Sequence, residues 1–171
     1  MSENVGKRFE HDFRDSCKNR GLYVYRLPDA YVTMRKVDPD AYVSTNPADY
    51  LLHHDGILYW LELKSTDKKS ISIAHKDEEG KTISGSIRLH QPADLLKLVG
   101  ECEKSFFILQ FQRDTDKQST WALEIKDFFK FYEESGKQSI NELDVVQYHG
   151  IYIPGKKIRT HYDYDVQKIV Q

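Results

Sequence analysis

The dipeptide Asp55-Gly56 constrains this chain more than any other feature. It interrupts two apolar runs within residues 46–66, NPADYLLHHDGILYWLELKST. Asp-Gly between such runs is a hairpin signal, because a two-residue turn needs positive φ at both positions. With 55 and 56 as the loop, facing residues have numbers summing to 111, and Asp49 falls opposite Glu62. Side chains that face across an antiparallel pair have Cβ atoms roughly 4.5–5.5 Å apart. Lys64 lies two residues beyond Glu62 and shares its face. Leu51, His53, Leu58 and Trp60 continue that face. Tyr50, Leu52, Ile57, Tyr59, Leu61 and Leu63 make up most of the other. A bulge or a longer turn would slip this register.

Two facing carboxylates repel, and a bound divalent cation is one remedy. Mg²⁺ takes oxygen ligands: one or two carboxylates, waters and phosphate oxygens. Such a cation lowers the pKa of bound water and stabilises charge on a phosphodiester. A neighbouring Lys can orient that water or offset the developing charge. The register alone therefore points to phosphodiester hydrolysis at Asp49, Glu62 and Lys64. Ordinary edge charges on a hairpin are the competing reading.

The same three residues, D-x12-E-x-K, resemble the core of the PD-(D/E)xK nuclease superfamily, with the preceding Pro47 displaced by one residue. The run Gly6-Lys7-Arg8-Phe9-Glu10 resembles that superfamily's first-helix motif, G-x-x-F-E. Leu89-His90-Gln91 is similar to the His-Gln pair before the second helix of its resolvases. Within the superfamily, the RecU-type Holliday junction resolvases are the nearest likeness. The strand at 106–111, the Phe-rich stretch at 128–132 and the ending from Tyr152-Ile153-Pro154 onward extend it. The resemblance implies an α/β fold with a restriction-endonuclease-like core, a mixed central sheet flanked by helices. It implies a Mg²⁺-dependent endonuclease, with Mn²⁺ as a substitute. Asp49, Glu62 and the backbone carbonyl near Leu63 would hold the metal, Lys64 would activate water, and Glu10 and Gln91 would support the site. The products would carry 5′-phosphate and 3′-hydroxyl ends. The implied substrate is a four-way DNA junction cut by a homodimer, since two symmetric cuts need two sites. Two alternatives stay open: a restriction-type or repair nuclease acting on linear duplex or flaps, and a non-catalytic DNA- or protein-binding domain of the same fold.

The 171 residues suggest one compact domain. With 39% hydrophobic and 30% charged residues, the composition is that of a globular protein. No apolar run approaches the length of a membrane span. The N-terminus lacks the apolar core of a signal peptide, so a cytoplasmic location in a bacterium, or phage-encoded in one, is expected. Cys17 and Cys102 lack metal-type spacing and read as reduced thiols, and the His residues form no zinc-type set. A net charge of −2 counts mildly against nucleic acid. A DNA-binding face, however, needs clustered cations rather than a basic total. Local clusters occur at Lys7-Arg8 with Arg14 and Lys18, at Lys68-Lys69, and at Lys156-Lys157-Arg159. Each also reads as a solvated face.

Val5, Phe9, Phe13 and Cys17 recur every fourth residue and predict an amphipathic helix over 3–20. Strands are expected at 22–27, 105–112 and 121–125. Helices are expected at 93–99, behind Pro92, and at 126–134. The aromatic side chains of that last helix read as core more than as a base-stacking platform. Residues 28–47, with a short strand at 31–37, read as a substrate-facing excursion or a plain surface loop. Residues 74–86 read as a second hairpin or a flap. A loop is expected at 135–141, edge elements at 144–148 and 151–154, and a strand or short helix in 160–170.

Overall fold

The computed structural model describes residues 5–28, 46–114 and 117–171. The expected excursion at 28–47, with its strand at 31–37, falls almost wholly outside them.

A six-stranded mixed sheet organises the molecule. The chain enters through helix α1 (Val5–Asn19) and strand β1 (Tyr23–Arg26). The hairpin follows as β2 (Tyr50–His54) and β3 (Ile57–Thr66). Short strands β4 (Ser70–Ser72), β5 (His75–Lys76) and β6 (Thr82–Ile83) lead to helix α2 (His90–Lys97). Then come β7 (Glu103–Asp114), β8 (Lys117–Glu124), α3 (Ile125–Ser135), β9 (Ser139–Asn141) and α4 (Glu142–Gln147). Strands β10 (Ile151–Tyr152), β11 (Gly155–Ile158) and β12 (His161–Tyr164) and a 3₁₀ turn (Val166–Ile169) end the chain. The sheet order is β1-β2-β3-β7-β8-β10. Only β3 and β7 run parallel, and the segment between them supplies the crossover such a pair requires.

Side-chain alternation divides the sheet into two faces. On one, Tyr50, Leu52, Tyr59, Leu61 and Leu63 pack with Phe9 and Phe13 of α1 and with Tyr164. On the other, Phe107, Leu109 and Phe111 pack with Leu95 of α2 and with Phe128 and Phe131 of α3. The aromatic helix is thus core, as its sequence suggested; Phe107 and Phe128 have ring centroids 4.8 Å apart. The stripe on α1 is buried except at Val5, which is exposed.

The C-terminal hairpin β11–β12 is tied to α1 by polar groups, of which Asp12 and Ser16 are buried. Asp12 accepts from the Tyr162 amide at 2.9 Å and lies 2.7 Å from His161 Nδ1. The Ser16 hydroxyl accepts from the Tyr164 amide at 2.9 Å. Arg20 forms a two-pronged pair with Asp163, at 2.6 and 3.1 Å.

Three expectations need correction. Residues 144–148, expected as an edge element, lie largely within helix α4. Asn141 and Asp144 form a capping box that starts this helix by satisfying two otherwise orphaned amides. The expected loop at 135–141 contains β9, which pairs with β4. Helix α2 begins at His90, so Pro92 is its third residue, still in the first turn where no amide is needed. The stretch 74–86 does contain a small hairpin, β5–β6. Among the described residues no helix is long and apolar enough to cross a membrane.

Candidate active site

The hairpin register follows the expected sum. Pairs run from His54↔Ile57 to Tyr50↔Leu61. Asp55 (φ 48°) and Gly56 (φ 79°) both occupy the left-handed region that such a turn demands. Beyond Tyr50 the ladder changes. The Asp49 amide donates to the Leu61 carbonyl at 3.1 Å, although Leu61 already faces Tyr50. Two residues then oppose one, as in a β-bulge. Asp49 is therefore not strictly opposite Glu62. Its carboxylate turns inward instead and accepts from the Leu63 amide at 2.8 Å. Here β2 leaves the sheet while β3 continues beside β7 to Thr66. The site sits in this fork.

Glu62 is nearly sealed, with 5% of its side chain exposed; Lys64 keeps 16%. Lys64 Nζ lies 2.8 Å from Glu62 Oε1. The amide Nε2 of Gln91, from α2, donates to the same oxygen. Gln91 Oε1 in turn accepts from the Arg88 amide at 2.9 Å, which fixes which way the Gln amide points. Burial pushes the Glu62 carboxyl from an ordinary 4.5 up to about 7, and the charge of Asp49 adds to the rise. Lys64 and Arg88 oppose it. Burial outweighs the help these two cations give the charged form.

Asp49 also acts across the sheet. The Tyr50 hydroxyl is pushed up to about 12, chiefly by burial, then by the charge of Glu10 and more weakly by that of Asp49, with Arg26 and Arg14 opposing. Tyr50 and Glu62 lie on opposite faces, so the Asp49 carboxylate stands at the rim between them. Glu10 reaches this rim from α1. Its carbonyl accepts from the Tyr50 hydroxyl at 3.4 Å, and its carboxylate lies 3.7 Å from Arg26. Asp49, Glu62, Lys64 and Gln91 are brought into one cluster, whereas Glu10 approaches from the α1 side through Tyr50 and Arg26. Arg26 and Arg88 were not foreseen. Arg88 lies beside the His-Gln pair in sequence, but only folding brings its charge near Glu62.

Among the described residues, no three His, Cys, Asp or Glu side chains enclose a metal. The side-chain donors in the fork are the two carboxylates of Asp49 and Glu62, and the backbone carbonyl of Leu63, whose amide already binds Asp49, would be the third. This open, all-oxygen set suits Mg²⁺, which keeps several waters and binds through one or two carboxylates. A cation there would also favour the charged form of Glu62, offsetting the burial and the Asp49 charge that raise its carboxyl. A cleft of about 620 Å³ adjoins the end of β3, lined by Gly6, Ser65, Thr66, Lys68 and Ser70 among others. Gly6 brings the first turn of α1 to the border of this cleft.

No family model matches the chain. A curated relative, the SPbeta prophage-derived uncharacterized protein YotM of Bacillus subtilis (strain 168), is 29% identical over 137 residues, or 80% of this chain. The chain spans 64% of that relative's length. Among solved structures, the fold is similar to that of Hjc, a Holliday junction resolvase from the archaeal hyperthermophile Archaeoglobus fulgidus. The TM-score is 0.50 at 15% identity, covering 83% of this chain and 93% of that one. The likeness is one of fold, and this chain shares a mixed α/β architecture with that protein: a central mixed sheet with helices on both faces.

Proposed function

We propose that this chain is a Mg²⁺-dependent DNA endonuclease that cuts four-way junctions as a homodimer. The carrying observation is the fork between β2 and β3. There Asp49 and a sealed Glu62 share one rim, and Lys64 touches Glu62 at 2.8 Å. The fold likeness to a junction resolvase supports the class of reaction, and the sequence resemblance supports the branched substrate.

In this mechanism Asp49, Glu62 and the Leu63 carbonyl would hold the cation, which would supply Lewis acidity toward the phosphodiester. The chain does the positioning. Gln91 and Lys64 both hold Glu62 Oε1, so the carboxylate has one orientation. The Leu63 amide does the same for Asp49. A Lys ammonium has three donors, and one is spent on Glu62. The remaining two are available to orient the attacking water and to meet charge developing on the phosphate. Glu10 and Arg26 border the α1 side of the rim.

The test is incubation with a labelled four-way junction, linear duplex or single strand, in Mg²⁺, Mn²⁺ or EDTA. Nicking of the junction that disappears in EDTA is expected. Asp49→Asn and Lys64→Ala should both be inactive while still folded. Equal cutting of linear duplex would remove the junction assignment and leave a nuclease of restriction or repair type. Cutting that persists in EDTA or in Asp49→Asn would overturn the mechanism.

A further inference from the structure

A second cleft lies along the ends of β7 and β8, between α1 and the C-terminal hairpin. Its main part has a volume of about 380 Å³ and is lined by Arg8, Lys117, Lys157 and Arg159. A continuation of about 280 Å³ shares Lys117, Gln118, Lys157 and Tyr162 with it. Four cations from three separate parts of the chain thus border one groove. Among the described residues lining it, Asp12 is the one acidic side chain, and it is engaged by His161 and the Tyr162 amide.

The hairpin is built to present this face. Strand alternation puts Gly155 and Lys157 on the same side as their partners Tyr164 and Tyr162. All four line the groove. The Tyr162 and Tyr164 rings stack at 14°, and a Cβ at Gly155 would come within 3.0 Å of the Tyr164 ring. Glycine there lets the rings lie against the backbone. The floor is rigid and polar: Gln110 and Gln118 both donate to the Tyr164 hydroxyl, at 2.7 and 2.9 Å. Ser119, which lines the continuation, has a buried hydroxyl with no partner among the described residues. At the hairpin tip Arg159 has φ 58°, a conformation that suits Gly or Asn better than Arg. The guanidinium is displayed there despite the backbone it needs.

We infer that this groove seats the phosphate backbone of a DNA arm, away from the point of cutting. The inference rests on the nuclease reading above and adds to it a second place of contact. Val5 lines both this groove and the cleft beside β3, so the two adjoin at the start of α1. Cations spread along two adjoining hollows suit a string of phosphates better than one small anion. The amides and hydroxyls between them suit sugar and phosphate oxygens. A branched substrate offers such a second arm, whereas a short linear duplex seated at Glu62 does not.

The test measures binding of a fluorescent four-way junction by anisotropy, in EDTA, over a range of salt. Lys117→Glu/Lys157→Glu/Arg159→Glu should weaken binding about tenfold or more and reduce the slope of log K against log salt by about 3. Lys97→Glu/Lys126→Glu/Lys130→Glu makes the same charge change on the α2–α3 face and should alter both far less. Arg159→Gly guards against misfolding: it should keep or raise the melting temperature, weaken binding and lower the slope by about 1. Equal losses in the two triple variants, or Arg159→Gly binding as tightly as the parent, would overturn the groove. Groove-dependent binding without any cutting in Mg²⁺ would overturn the nuclease and leave the groove. Cutting with binding indifferent to these changes would do the reverse.

Discussion

Glu62 concentrates the chemistry of the site, and its protonation makes the site testable without an activity assay. The carboxyl is raised from 4.5 to about 7 by burial and by Asp49. Between those values the folded chain binds more protons than the unfolded chain, so stability falls as pH rises. The contribution is whole below pH 4.5 and lost once pH passes about 7. A carboxyl held this far from its ordinary value makes that loss roughly 3 kcal/mol. Urea unfolding in EDTA should show this decline, and Glu62→Gln should flatten it. Added Mg²⁺ should then raise the melting temperature more at pH 8 than at pH 5, and Asp49→Asn should abolish the difference. An equal Mg²⁺ effect at both pH values would detach the cation from this carboxylate. In the sequence, the shared face of Glu62 and Lys64 was legible from parity, and the nearness of Asp49 from the turn, although the bulge moves Asp49 off the position directly opposite Glu62. Arg88 was not, because its charge reaches Glu62 only through tertiary packing. Nor was the twist of Asp49 onto the Leu63 amide, because a bulge is decided by where β2 leaves the sheet.

At the scale of elements, the hairpin was legible because its turn has a local cause. Gly56 at φ 79° leaves little choice of residue. Gly56→Val should cost about 1–2 kcal/mol and lower activity as well, since the turn fixes the register that assembles the fork. Helix α4 was missed although its signal was present: Asn141 followed three residues later by Asp144, with Val145 buried. Six residues are too few for a hydrophobic period to outweigh the β-branched pair Val145-Val146. Asn141→Ala should lower stability by about 1 kcal/mol in urea while leaving cleavage intact. That contrast separates a structural cap from a catalytic residue. The pairing of β4 with β9 had no local signal at all. Three residues on each side, far apart in the chain, are joined by the fold and not by their own pattern.

For the whole molecule, the arithmetic of cutting decides more than composition does. The net charge of −2 hides a basic groove, because Arg8 and the pair Lys157 and Arg159 sit at opposite ends of the sequence and meet only through the α1–hairpin clasp. A junction cut on two strands needs two copies of the Asp49–Glu62 fork, and the described residues contain one. If the chain cuts junctions as proposed, a two-fold dimer would provide the second in the symmetric position such a substrate requires. Mixing parent protein with Lys64→Ala in equal amounts should therefore yield about half mixed dimers, if subunits exchange freely. Each mixed dimer still binds the junction but cuts one strand. On a supercoiled plasmid bearing a cruciform, the parent should give mainly linear product, because both cuts fall within one bound lifetime. The mixture should accumulate nicked circles, and the excess should track the mixed-dimer fraction as the ratio is varied. A monomeric nuclease would instead lose rate in proportion to the dilution and keep the parent's ratio of nicked to linear product. The product ratio thus reports how many active sites share one substrate, independently of the absolute rate.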